Sequence, residues 1–153
     1  MAVAGEAPRL SDLDRLGAVV TLAAPSDTQH LAVRLARMDP TIEREGRGTV
    51  NIGGRDWTIV REMLEDFRRH DLPRIVGRIE TPTLLLHSPA DEIVGFDHAL
   101  RLMGLIQSAP DRSTPVSLVS IAQADHLLSN AAADLSFVTS TSAAFIRRYA
   151  SAE

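Results

Sequence analysis

A chain of 153 residues, 44% hydrophobic and 24% charged, carries enough apolar material for the core of one ordinary domain, which argues against disorder. A formal net charge of −4 with no clustered Lys/Arg run excludes a nucleic-acid partner, and the lack of cysteine excludes disulfides, thiolate metal sites and a cysteine nucleophile. No apolar run reaches the ~18 residues of a membrane span, and MAVAGEAPRLSDLD is no signal peptide, so the expectation is a cytoplasmic protein without membrane contact.

In chain order, Ala18–Ala23 (AVVTLA) is apolar almost throughout, the pattern of a parallel strand covered on both faces. Thr28–Met38 then puts Leu31, Leu35 and Met38 on one helical face, with Ser26 or Asp27 as its N-cap. Gly48–Ile59 breaks the rhythm: TVNI, Gly53-Gly54 and RDWTI read as a hairpin. Helix periodicity is read over Trp57–Arg69 from Val60, Met63, Leu64 and Phe67. A second buried strand, Thr83–Leu86 (TLLL), follows Pro82, then a helix over Phe96–Ile106, a third strand at Val116–Ile121 (VSLVSI) and a closing helix over Ser136–Tyr149. Strands alternating with helices predict an α/β fold with a parallel sheet. The stretch between the first two strands far exceeds one crossover helix and reads as a cap insertion, from about residue 28 to 80.

In such sheets, ligands and catalytic groups gather beyond the carboxyl ends of the strands. Those ends carry Ala24-Pro25-Ser26-Asp27, His87-Ser88-Pro89-Ala90-Asp91 and Ala124-Asp125-His126. A carboxylate at Asp91 is suited to accept the Nδ1–H of His126, fix its tautomer and leave it as a general base. The blander alternative makes Asp91 a cap for the helix at Phe96 and His126 a polar turn residue.

HSPADEIVG (His87–Gly95) followed by ADHLL (Ala124–Leu128) resembles the acid loop and histidine loop of α/β-hydrolases. VVTLAAPSDTQHL and VNIGGRDWTI resemble one subgroup, bacterial hydrolases sometimes fused to an osmotically inducible protein C-like domain. The resemblance runs from about Leu16 to Tyr149 and implies the C-terminal half of an α/β-hydrolase sheet, about three parallel strands with flanking helices and a hairpin-bearing cap. It also implies Asp91 as triad acid, His126 as triad base and chemistry on ester or related acyl bonds. The nucleophile elbow G-x-S-x-G is not in the sequence, and the first 17 residues resemble the back of the helix that follows an elbow. The expectation is therefore a hydrolase half without a nucleophile in this chain, inactive by itself. The alternative is a non-catalytic remnant or an interaction or ligand-binding module.

Other candidates are weaker. Ser26 reads as a helix N-cap, Ser88 as a turn residue and His87 as a local hydrogen-bonding group. His87, Asp91, His98, Asp125 and His126 match no common metal-site spacing, so neither metal nor cofactor is expected. Trp57 reads as a packing residue of the cap, with a place over the site as the alternative. Met38, Ile52, Trp57 and Met63 suggest an apolar acyl or alcohol group in a small ester-like substrate. Without a strand beside Ala18–Ala23, the sheet has an open edge, and self-association through it is expected.

Overall fold

The computed structural model describes residues 16–108 and 113–150. The segment read as the back of a helix before Leu16 lies outside them. The elements run β1 (Val19–Leu22), α1 (Thr28–Met38), α2 (Thr41–Glu45), β2 (Arg47–Ile52), β3 (Arg55–Val60), α3 (Arg61–Arg69), α4 (Leu72–Val76), β4 (Thr83–His87), α5 (Phe96–Gln107), β5 (Val116–Ser120) and α6 (Ala132–Tyr149). β1, β4 and β5 form a parallel sheet in the order β1-β4-β5, and β2 pairs with β3 as a separate antiparallel hairpin. This is the expected α/β architecture, a three-stranded parallel sheet flanked by helices.

β4 is the centre of the sheet because its side chains are apolar on both faces and all five of its residues are buried. Leu84 and Leu86 point to one face, where they meet Ile121 and, from α6, Val138 and Phe145. Leu85 points to the other, against Leu102 and Ile106 of α5 and Val76 of α4. The β1–β4 insertion builds a third core of its own from Ala32, Leu35, Ile42, Val50, Ile59 and Leu64.

Two helix starts differ from the sequence reading by several residues. The helix placed over Trp57–Arg69 begins at Arg61, since Trp57–Val60 belong to β3, with Trp57 opposite Val50. The hairpin ladder outcompetes the helical period there, and the apolar spacing of Met63, Leu64 and Phe67 starts only after it. The last helix begins at Ala132 rather than Ser136, and α2 and α4, five residues each, are too short to show a period. The N-cap of α1 is Asp27, whose Oδ1 accepts from the amides of Gln29 and His30; Ser26 is not a cap.

Two glycine positions are demanded by geometry. Gly53 and Gly54 have φ of 60° and 77°, as a two-residue turn with both central residues left-handed requires. At Gly48 the demand is steric: a Cβ would lie 2.3 Å from Asp39 Oδ2 and 2.7 Å from Ile42 Cγ1. Asp39 cannot retreat freely, because its carboxylate accepts from Thr41 N, Thr41 Oγ1 and Thr49 N at 2.9, 2.7 and 2.7 Å. Gly48→Ala should therefore cost about 1–3 kcal/mol, read as a lower urea midpoint at unchanged slope. Gly54→Asn, where a Cβ meets nothing within 4 Å and asparagine accepts the left-handed turn, should change stability far less. Equal losses at the two positions would contradict the crowding at Gly48.

Candidate functional site

The parallel strands bring three loops to one rim of the sheet. After β4 the chain turns sharply: Ser88 Oγ accepts from Ala90 N at 3.1 Å, and Asp91 N donates to the Ser88 carbonyl at 3.2 Å. This returns Asp91 to the end of its own strand, where its side chain is 1% exposed. Asp91 Oδ1 accepts from the amides of Ile93 and Val94 at 2.8 and 2.9 Å. Its Oδ2 faces His126 Nδ1 at 2.8 Å. Burial pushes the Asp91 pKa upward, but the Val94 amide, the His126 ring and the Ile93 amide together outweigh it and hold the carboxyl below its usual range. The carboxyl is thus ionised at neutral pH, so His126 carries its proton on Nδ1 and donates it. Nε2 is then the basic nitrogen, on a ring that is 24% exposed.

The histidine loop is held with equal care. β5 ends where Ile121 N donates to the His87 carbonyl at 2.9 Å. Gln123 (φ 62°) and Leu128 (φ 54°), neither of them glycine, take left-handed conformations on either side of His126. Asp125 binds the outgoing turn through Ser129 N at 2.6 Å, Ser129 Oγ and Asn130 N at 3.4 Å. A groove of about 340 Å³ opens beside the pair, with Ala90, Ile93, Asp125, His126, Leu127 and Gly53 in its wall.

Solved structures of hydrolases resemble this chain in fold. The esterase domain of a Rhodothermus marinus protein is 37% identical, with a TM-score of 0.68, over 89% of this chain and 53% of that one. Alpha/beta hydrolase domain-containing protein 10 from mouse (22% identity, TM-score 0.63, 90% of this chain and 56% of that one) and Est1E from Butyrivibrio proteoclasticus (15%, 0.60, 89% and 54%) share the fold. The chain shares the α/β-hydrolase fold of these structures, and its 37% identity to the esterase domain supports that family. It spans about half the length of these structures. No family model and no curated protein matches it.

The remaining candidates separate clearly. Asp91 does not cap α5, which begins after Gly95 without a side-chain cap; it holds the preceding turn with one oxygen and His126 with the other. Ser26 is fully buried, 0% exposed, and its Oγ and N both meet His98 Nδ1, at 2.9 and 3.1 Å, far from any elbow geometry. The backbone amide can only donate, so His98 Nδ1 carries its lone pair there. Ser88 is a turn residue, as read. His87 is buried and bonded locally through Nε2 to the Val94 carbonyl. Among the described residues no group of three His, Asp or Glu side chains could hold a metal ion, and no helix is long and apolar enough to cross a membrane. Trp57, Met38 and Met63 are 47%, 45% and 44% exposed and line no part of the groove, while Ile52 packs on the core of the insertion. The apolar character suggested for a substrate therefore finds no support in those four; Ala90, Ile93 and Leu127 supply the apolar wall instead.

Two contacts were not visible in the sequence. Arg34 of α1 donates to the carbonyls of Ile93 and, at 3.2 Å, Glu92, so the insertion grips the acid loop. The hairpin tip rests on the histidine loop, where a Cβ at Gly53 would come within 2.3 Å of Leu127 Cδ1. Neither partner lies near in sequence. An arginine beside the apolar stripe of α1 was the one available hint.

The lowered Asp91 pKa has a sign that can be tested. A carboxyl whose pKa is lower in the folded than in the unfolded chain adds stability that is full above its unfolded value, about 3.9. That stability is lost as pH falls through the lower folded value. Asp39 and Asp125 act in the same direction, lowered first by the hydroxyls of Thr41 and Ser129. Urea unfolding followed from neutral pH into acid should show stability falling below about pH 4, and Asp91→Asn should make that acid limb shallower. An acid limb of unchanged depth in the variant would contradict the ionised, buried role of Asp91.

Proposed function

We propose that this chain is the acid-and-base half of a serine-type hydrolase acting on esters or related acyl bonds of small molecules. The observation that carries the reading is the 2.8 Å contact of His126 Nδ1 with the buried Asp91 carboxylate, at the ends of adjacent parallel strands and beside an open groove. In this reading Asp91 holds His126 in the Nδ1–H tautomer. Nε2 takes the proton of a serine hydroxyl as it attacks the acyl carbon, and Asp91 stabilises the imidazolium. His126 then returns the proton to the leaving alcohol, and water repeats the sequence to release the acid. The segment from about residue 28 to 80 is the cap, shaping the groove through Gly53 and steadying the acid loop through Arg34.

In this reading the serine lies outside the groove wall seen here, which contains none. Ser26 and Ser88 are buried and engaged, Ser129 is tied to Asp125, and the sequence holds no G-x-S-x-G. The isolated chain should accordingly give no hydrolysis of p-nitrophenyl esters above background. Turnover that disappears in His126→Ala would overturn the statement that the nucleophile lies elsewhere. The pair itself is tested by the tautomer of His126, read from its ring nitrogens by NMR. Asparagine at position 91 can still accept from the Ile93 and Val94 amides, but its amide nitrogen would face His126 Nδ1 as a donor. Asp91→Asn should therefore move the His126 proton from Nδ1 to Nε2, and an unmoved proton would dismiss the pairing.

A second reading, a ligand-binding module, is favoured by one observation, the accessible groove whose wall contains no serine. Saturable thermal stabilisation by a small carboxylate ester, unaffected by Asp91→Asn, would support it over the first.

A further inference from the structure

His87 closes β4 and is 1% exposed, an unusual place for an imidazole unless its polar atoms are used. Its Nε2–H donates to the Val94 carbonyl at 2.8 Å. Val94 is thereby held at both ends, because its amide donates to Asp91 Oδ1 at 2.9 Å. The His87 carbonyl, in turn, accepts from Ile121 N, at the root of the loop that carries His126. Phe96, the first residue of α5, meets the His87 ring edge-on at 5.9 Å between centroids and an interplanar angle of 87°, which fixes the plane of the imidazole. One further distance matters: His87 Nε2 lies 3.7 Å from Asp91 Oδ2, the oxygen that faces His126.

We propose that His87 is a positioning residue for the Asp91–His126 pair, an inference that rests on reading that pair as the functional one. Its Nε2–H is committed to the Val94 carbonyl and so does not compete with His126 for Oδ2. The same bond pins Val94, whose amide keeps Asp91 turned with Oδ2 toward His126. An apolar residue of similar size would fill the space but leave the Val94 carbonyl buried without a donor. Relief would come by turning the Val94 segment outward, and Asp91 would turn with it.

The test is the NMR signature of His126 in the chain as it stands, its Nδ1–H tautomer with a downfield, strongly hydrogen-bonded proton. His87→Gln places an amide N–H within reach of the Val94 carbonyl and should keep the signature. His87→Leu should lose it, with the far-ultraviolet circular dichroism preserved. His87→Asn is polar but too short to reach that carbonyl and should lose the signature too, which carries the test if the leucine variant does not fold. A signature that survives in His87→Leu or His87→Asn, with only the melting temperature lowered, would reduce His87 to a packing role and overturn the proposal. So would loss of the signature in His87→Gln. A parent chain that shows no Nδ1–H signature at all is a different result: it would remove the Asp91–His126 reading, and the role of His87 with it.

Discussion

Leu84→Ala should lower the unfolding free energy by about 2–5 kcal/mol, and Leu85→Ala should do comparable damage through the opposite face of the sheet. Both side chains are almost wholly buried, at 1% and 2% exposure, and among the described residues they sit on the one strand with neighbours on both sides. Leu84 is shared with Val138 and Phe145 of α6, Leu85 with Leu102 and Ile106 of α5. Truncation leaves a cavity that helices fixed by other contacts cannot collapse into. Against a total of about 5–15 kcal/mol for a typical domain, either loss is severe. Leu135→Ala on α6, where the side chain is 58% exposed, should stay within about 0.5 kcal/mol. Denaturant unfolding followed by circular dichroism compares the three. If Leu84→Ala proved as mild as Leu135→Ala, β4 would not be the structural centre, and the loop it projects, Ser88 to Asp91, would lose its rigid base.

That centrality was legible in the sequence because a parallel strand buried on both faces must be apolar in consecutive positions, and TLLL is. The pair at the rim was legible for a related reason: strand ends can be counted along the chain, and Asp91 and His126 each follow one. What could not be read were contacts that depend on how the insertion folds back. Arg34 to Ile93 spans 59 positions and Ser26 to His98 spans 72. Neither involves a motif; one joins α1 to the loop after β4 and the other joins the loop after β1 to the first turn of α5. Trp57 was rightly read into the hairpin but also into the following helix, because there the local pattern was too persuasive. Val60, Met63, Leu64 and Phe67 carry a helical period that extrapolates backward through residues whose backbone bonds are taken by β2. His87 was read as a local hydrogen-bonding residue, correctly so far as it went. Its second connection, through Val94 to the carboxylate of Asp91, needed the turn of the acid loop to be seen.

The edge of β1 left unpaired among the described residues leads to the other large effect expected. β1 bonds to β4 through one side only: Val19 N donates to the Pro82 carbonyl and Ala23 N to the Leu86 carbonyl, both at 2.9 Å. By strand alternation Val20 and Leu22 turn their amides and carbonyls the other way, where no strand among the described residues pairs with them. Leu22 is 41% exposed beside that edge. A row of unpaired backbone groups flanked by apolar side chains is a template for another strand. We therefore expect sedimentation velocity at micromolar concentrations to show association that grows with concentration. Leu22→Pro would remove an outward-facing donor while sparing the ladder to β4, since proline is tolerated where the amide faces away from its partner strand. One lost hydrogen bond, at about 0.5–1.5 kcal/mol, weakens association roughly 2- to 13-fold, and the ring obstructs the approach of a strand besides. The variant should thus sediment as a monomer where the parent does not. A parent that stays monomeric at high micromolar concentration would dispose of the open-edge argument. Association that persists in Leu22→Pro would place the contact on another surface, with the exposed side chains of α6, Leu135, Phe137 and Ile146, as the next to be tested.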